Sequence, residues 1–253
     1  MANILRLEGI TKSFDGLKAI DNLDLKIDAG TVSAIIGPNG AGKTSLFNIL
    51  CGYLYPDSGK ISYKDKDITL LSPWRRSVLG IGRLFQDIRV FKKLTLLENL
   101  LVTFNEGSEN PLKAIFGRRD GKKKKNIEIA IKWLDFVGLI DKKDTLAENL
   151  SWGQQKLLSI ARLLCGNFDL LLIDEPVSGV NPDMIDVILE KIKSLKSFGK
   201  TIIAVEHDMD AVEKISDYIY YMESGKIEAC GLPEEIFNNR KIMESYMGIN
   251  NVA

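Results

Sequence analysis

Histidine occurs once and cysteine three times in these 253 residues. Cys51, Cys165 and Cys230 are far apart and form no C-x-x-C pair. Neither a disulfide framework nor a zinc site is expected from them; small buried hydrophobes in a reducing compartment are. A surplus of charge is also missing, because Lys+Arg and Asp+Glu both total 34. The summed field is therefore weak and offers no support for sequence-independent attraction to nucleic acid or to an anionic membrane, so no nucleic acid partner is expected. No apolar run approaches the roughly 18 residues that would suggest a bilayer span. The opening MANILRLEG has neither the basic nor the apolar region of a secretory leader. If the chain serves a membrane, it is expected to dock there. It is long enough to bury a proper core without covalent staples.

What is present is alternation. Three short apolar runs each end in a chemically suggestive residue: TVSAII before Gly37, DLLLI before Asp174, and TIIAV before Glu206 and His207. They read as buried strands. Helical patterns lie between them, in KTSLFNILCGYL and from Pro182 to Phe198, with Asn181 as N-cap and Gly199 as stop. This predicts an α/β fold, a mainly parallel core sheet with flanking helices. Ligands of such sheets gather at the carboxyl ends of the strands, where all three candidate sites fall. Near the N-terminus, ILRLEGI, LDLKI and KISYKDKDI alternate apolar and polar residues, which predicts a small antiparallel β-subdomain. From about Leu94 to Leu150 the pattern turns helical, in TLLENLLVTF and NIEIAIKWLDFVGL, and reads as a helical subdomain inserted in the core. Between these two lies a polar stretch with Pro111, Gly117, Gly121 and Lys122 to Lys125, expected to be a solvated loop.

GPNGAGKT, comprising Gly37, Pro38, Asn39, Gly40, Ala41, Gly42, Lys43 and Thr44, fits G-x-x-x-x-G-K-[ST] between a predicted strand and a predicted helix. The glycines let backbone N–H groups approach phosphates, and the helix N-terminus adds its positive dipole end. Lys43 would reach the β and γ oxygens of ATP and Thr44 would offer its hydroxyl to Mg²⁺, with Ser45 completing the nucleotide-binding run. Asp174 ends an apolar strand and Glu175 follows, so their side chains point in different directions and can divide the work. Asp174 would help hold Mg²⁺, and Glu175 would polarise the attacking water, which suits hydrolysis better than transfer to an organic hydroxyl. His207, at another strand end, could hydrogen-bond the γ-phosphate or that water.

Leu150-Ser151-Trp152-Gly153-Gln154-Gln155 resembles the signature motif of ATP-binding cassette (ABC) proteins. The same residues fit a capping box at the head of the helix QQKLLSIARLLC, and a capped helix start beside glycine is itself an anion site. The resemblance implies that Ser151, Trp152, Gly153 and Gln154 meet the γ-phosphate held by a second subunit. It extends in the family's order from about Leu5 to Gly248. Phe14 matches the aromatic that stacks on adenine, although its residue type alone suits a core position equally. Gln86 matches the glutamine of the loop that touches Mg²⁺ or water, Ser178, Gly179 and Asn181 the loop that crosses the dimer interface, and His207 the switch histidine. Catalytic roles thus fall to Glu175, His207, Gln86 and Lys43, and metal-holding roles to Thr44, Gln86 and Asp174.

Trp152 stands where many cassettes have glycine and Asn181 where many have aspartate. Both departures, with FQDIRVFKKLTLLENLLV, the doubled glutamine after Gly153, and VEHDM, look like the branch that drives branched-chain amino acid importers. The resemblance implies one ABC ATP-binding domain over residues 1–253, with a helical subdomain at about 88–160, a C-terminal tail at about 231–253, and no added regulatory domain. It further implies an ATPase on the cytoplasmic face of the cell membrane. Its partners would be two transmembrane permease subunits, a second ABC ATPase subunit, identical or paralogous, and indirectly an external solute-binding protein. Related cassettes serve urea and short amides, other amino acids, or lipids. A soluble ATPase acting on DNA or ribosomes is disfavoured, since such proteins resemble two cassettes in one chain or one split by a coiled coil, and neither a repeat nor sustained heptads appear. A small-metabolite kinase would leave the signature unexplained.

Overall fold

The computed structural model describes residues 3–104 and 120–246. Along the chain, β1 (Asn3–Phe14) and β2 (Leu17–Asp28) are followed by β3 (Val32–Ile36), α1 (Lys43–Cys51), β4 (Ser58–Tyr63), β5 (Lys66–Asp67), α2 (Pro73–Leu79) and β6 (Ile81–Leu84). Then come α3 (Leu96–Leu101), α4 (Asp120–Phe136), α5 (Trp152–Cys165), β7 (Leu170–Asp174), α6 (Pro182–Ser194), β8 (Thr201–Val205) and α7 (Met209–Ile215). The described chain closes with β9 (Tyr218–Glu223), β10 (Lys226–Gly231), α8 (Pro233–Phe237) and α9 (Arg240–Tyr246). These residues form two compact units: 3–83, 168–175 and 193–246 make the first, and 84–104, 120–167 and 176–192 the second.

The sheets follow from the two kinds of apolar pattern. β1, β2, β4 and β5 form an antiparallel sheet in the order β2-β1-β4-β5, with alternating buried and exposed residues. KISYKDKDI splits into β4 and β5 at Lys64 and Asp65, whose φ values of 48° and 61° are left-handed, as a tight hairpin turn requires. The other sheet has the order β10-β9-β3-β8-β7-β6. In it β9, β3, β8 and β7 run parallel while β10 turns back antiparallel to β9. Every residue of β3 and β8 is buried, because both faces of the sheet are covered. Ile35 belongs to a core with Leu46 and Phe47 of α1, Leu172 and Ile203, whereas Ala34 and Ile36 belong to another with Val212, Ile219, Tyr221 and Ile236. Burying each Leu, Ile or Phe contributes about 1.5–3 kcal/mol.

Helix α1 ends earlier than the run KTSLFNILCGYL predicts. Gly52 adopts φ 78° and returns its N–H toward the carbonyls of Asn48 and Ile49. Arg76, 1% exposed, donates to the carbonyls of Ile49 and Leu50 in the last turn of the helix, where carbonyls lack a full set of helical partners. Burial lowers its pKa to about 10.

In the second unit, α5 packs against α3 and α4. Thr95 and Glu98 form a capping box that starts α3. The lysine run departs from expectation: Lys122 to Lys125 lie in the first turns of α4, not in a loop. The polar residues there are solvated, but intervals of three and four place Ile127, Ala130 and Leu134 along one face, and that stripe carries the helix. Pro111 and Gly117 of the expected loop, and the tail beyond Tyr246, lie outside the described residues.

Candidate active site

Backbone geometry builds the phosphate loop. β3 ends at Ile36 and α1 begins at Lys43, and the six residues between turn on glycine. Gly42 sits at φ 103°, and a Cβ there would meet the Ala19 carbonyl oxygen at 2.4 Å. At Gly37 a Cβ would fall 1.9 Å from the Met222 carbonyl oxygen, so the loop is pressed onto β9. Above Gly40 nothing approaches within 4 Å, and Asn39 is exposed. Pro38 accepts the Ala41 N–H at 3.2 Å, closing the turn. Lys43, only 6% exposed, donates through Nζ to the Gly37 carbonyl at 2.6 Å and the Pro38 carbonyl at 2.9 Å. Its third N–H is available to a phosphate oxygen. Burial lowers the Lys43 pKa, and the Glu175 carboxylate opposes that shift. Thr44 is exposed and Ser45 half-buried at the start of α1.

The carboxyl ends of β7 and β8 bring up the remaining first-unit residues. Asp174 pairs in register with Val205, and the Glu175 N–H donates to the Val205 carbonyl at 2.9 Å. Glu175 has φ 45°, a left-handed conformation that costs a non-glycine residue on the order of 1–3 kcal/mol. That turn separates its carboxylate from that of Asp174. His207 Nε2 lies 3.3 Å from Glu175 Oε1. The His207 N–H donates to the buried Glu206 carboxylate at 3.1 Å, and its carbonyl accepts the Tyr246 hydroxyl at 2.9 Å. Tyr246 and Glu206 therefore fix the histidine's backbone, a support that no local motif announces. Asp174 is engaged by Arg83, whose Nη2 lies 2.8 Å from Oδ2. Phe14, at the end of β1, is 46% exposed and so is not a core group, and Lys12 Nζ lies 5.7 Å from its ring centroid.

In the second unit, Ser151 and Gln154 form the expected capping box, with Ser151 N–H to Gln154 Oε1 at 3.2 Å and Gln154 N–H to Ser151 Oγ at 3.3 Å. A Cβ on Gly153 would lie 3.0 Å from Met184 and 3.4 Å from Val180, so this glycine seats the head of α5 against the start of α6. A Cβ on Gly179, at φ 70°, would lie 3.4 Å from Trp152 Nε1. The signature residues and the Ser178–Asn181 loop are thereby brought together, with Ser178 and Asn181 exposed. Asn181 Oδ1 accepts the Asp183 N–H at 3.2 Å, the N-cap read from the sequence. Gln86 also belongs to this unit, and its carbonyl accepts Lys156 Nζ at 2.7 Å. Lys156 is 1% exposed on α5, and Arg162, further along the same helix, donates to the Arg89 carbonyl. Both hold the glutamine-bearing loop, and sequence reasoning missed both because a lysine or arginine in a helix carries no local sign of burial.

Thr44 and Asp174 offer oxygen donors, the set for a hard dication held chiefly by phosphates and water. Glycine-forced backbone at a helix start, met by acidic side chains and a histidine from neighbouring strand ends, is how P-loop nucleotide hydrolases are made, and this chain is one. A family model described as ABC transporter matches residues 20–178, and the chain belongs to that family. It is an ATP-binding and ATP-hydrolysing subunit. A probable branched-chain amino acid transport ATP-binding protein LivG from Archaeoglobus fulgidus is 40% identical, over 97% of this chain and 95% of that protein. The ADP conformation of an ATP-binding cassette of an ABC transporter is 36% identical with TM-score 0.87, over 98% of this chain and all of that one. A dimeric post-hydrolysis state of another cassette, bound to ADP and Pi, is 25% identical with TM-score 0.73, over 90% of this chain and 98% of that one.

Proposed function

We propose that this chain drives an importer of branched-chain amino acids from the cytoplasmic face of the cell membrane, as a single cassette. The near-full-length likeness to a LivG protein carries the substrate. Peripheral attachment to two transmembrane permease subunits agrees with two observations. Among the described residues no helix is long and apolar enough to cross a membrane. Trp74 and Val78, one helical turn apart on α2, are 72% and 69% exposed, an apolar face of the kind that marks interaction surfaces. An external solute-binding protein would deliver the amino acid to the permease.

In this reading the Gly37–Gly42 amides and Lys43 bind and orient the phosphates of ATP, and Phe14 supports the adenine. Thr44, Asp174 and Gln86 would hold Mg²⁺, which supplies charge neutralisation when bound. Glu175 accepts the proton of the attacking water, and His207, whose Nε2 stands 3.3 Å from Glu175 Oε1, lies beside it at the γ-phosphate end of the site. Ser151, Trp152, Gly153 and Gln154 present the head of α5 to the nucleotide of a second ABC ATPase subunit, while Ser178, Gly179 and Asn181 line the interface. The dimeric state of the ADP- and Pi-bound neighbour supports this pairing. Closure of the pair would transmit ATP's preference for the closed state to the permeases.

The test is a mild-detergent capture of the tagged protein from its native cells, followed by mass spectrometry. Recovery of two multi-spanning proteins with a solute-binding protein that takes leucine, isoleucine or valine is expected. Recovery of ribosomes or DNA-repair proteins without a membrane partner would end the importer reading.

A further inference from the structure

Arg83 carries no role in the reading above, yet its guanidinium occupies a junction of the site. It stands on β6, and its side chain is 10% exposed. Nη2 lies 2.8 Å from Oδ2 of Asp174, itself 16% exposed. Nη1 donates to Asn48 Oδ1 at 2.7 Å and lies 3.8 Å from Cys51 Sγ, and the guanidinium carbon is 5.9 Å from the Phe47 ring centroid. Asn48, Cys51 and Phe47 are all on α1, whose first residues are Lys43 and Thr44. One planar cation thus joins the Asp174 carboxylate at the end of β7 to the helix that carries the phosphate loop.

Such a carboxylate is costly to leave without a counter-charge, and the attraction of a near partner grows as water is excluded. The cation at Oδ2 also repels any second cation brought to the same carboxylate, while Oδ1 is not taken by Arg83. We infer that Arg83 is a positioning residue that holds and neutralises Asp174, and that it sets how strongly a divalent cation is drawn to the nucleotide at that carboxylate. This rests on the reading of Asp174 as a metal-holding group. Without Arg83 the uncompensated carboxylate would repel a metal-free nucleotide and attract the metal-bound one more strongly. Arg83 therefore moderates the dependence of nucleotide affinity on Mg²⁺.

The experiment measures ADP affinity of the full chain by calorimetry in EDTA and in Mg²⁺, so that no turnover is needed. The ratio of the two affinities is the metal coupling. Arg83→Met should raise this ratio by about tenfold, a modest share of one screened charge interaction. Arg83→Lys, which keeps a cation on a different head group, should stay nearer the wild-type ratio. A ratio that is unchanged or smaller in Arg83→Met would overturn the inference. If Arg83→Met alone does not fold, Arg83→Met/Asp174→Asn removes both charges, and its ratio should equal that of Asp174→Asn; a difference between them would show that Arg83 acts elsewhere. Asp174→Asn separates the two claims. Loss of coupling there, with none gained in Arg83→Met, would sink the role of Arg83 alone. Full coupling in Asp174→Asn would remove the metal-holding reading of Asp174 and this inference with it.

Discussion

The phosphate loop and the strand-end cluster serve the same end of the six-stranded sheet but are made by opposite means. From Gly37 to Gly42 the loop works through its backbone, and glycine is required where Ala19 and Met222 carbonyls come within 2.4 and 1.9 Å of a would-be Cβ. At Asp174, Glu175 and His207 the site works through side chains, and Asp174 and the His207 backbone are held by residues far away in sequence, Arg83 and Tyr246. The loop is fixed by local conformational constraint. The cluster is fixed by distant polar contacts and by one strained residue, Glu175 at φ 45°. Damage to the loop should therefore cost binding and stability, while damage to the cluster should cost rate.

The largest effect should test the cluster. Glu175→Gln keeps the shape of the side chain and removes its basicity, so single-turnover ATP hydrolysis should fall by about 10²–10⁴-fold. ATP affinity should be retained, and the dimer should accumulate in its closed form. Hydrolysis at the wild-type rate would remove Glu175 from the role of general base and with it the chemical half of the comparison.

Next in size is Gly42→Ala, which attacks the loop. The added methyl would meet the Ala19 carbonyl oxygen at 2.4 Å and Met222 Cε at 2.9 Å, in a left-handed conformation. Strain of this kind costs roughly 1–3 kcal/mol, more with the backbone clash, and the loop should relieve it by moving its amides out of register. Urea unfolding and ATP binding should both weaken. A variant that bound ATP normally would show that the loop is less constrained than its geometry indicates.

Glu175→Gly sharpens the contrast from the other side. Glycine adopts φ 45° without the steric cost that glutamate bears, against which stands the greater freedom of glycine in the unfolded chain. Stability should stay level or rise by up to about 1 kcal/mol while hydrolysis is lost, the mark of a residue strained for chemistry. A clear loss of stability would mean that Glu175 is held by contacts that outweigh its strain.

How much of this was legible follows the same division. The G-x-x-x-x-G-K-[ST] spacing disclosed the loop, because its constraint is local. The three apolar runs disclosed β3, β7 and β8, since a strand buried on both faces carries its pattern within itself. The capping box at Ser151 and Gln154 was readable for the same reason. Arg83, Lys156, Arg76 and Tyr246 were not readable, because long polar side chains become structural only through partners 26 to 91 residues away. The lysines of α4 misled in the opposite sense: four adjacent charges resemble a loop, and only the apolar stripe beginning at Ile127 reveals the helix.

The smallest effect is a pH dependence carried by buried cysteines, one of them on the helix that leaves the loop. Cys51, on the helix that leaves the loop, is 6% exposed, and burial pushes its pKa up from 9.0 to about 11 even though Arg83 nearby pulls the other way. Burial likewise raises Cys165 to about 12, whereas Cys230 is exposed. A thiol whose folded pKa lies above its unfolded value stabilises the fold fully below about pH 9. As pH rises from 9 toward 11 the unfolded chain releases the proton while the folded chain retains it, so stability falls by up to about 1.4 kcal/mol per pH unit for each thiol. Cys51→Ala should remove its share of that slope between pH 9 and 10 in urea titrations, whatever constant offset the lost volume adds. Equal slopes in the two proteins would mean that Cys51 is more open to water than its buried place at the end of α1 indicates. At pH 8 a thiol-alkylating reagent should modify Cys230 in the folded protein and spare Cys51 and Cys165, because both buried thiols are then protonated and enclosed.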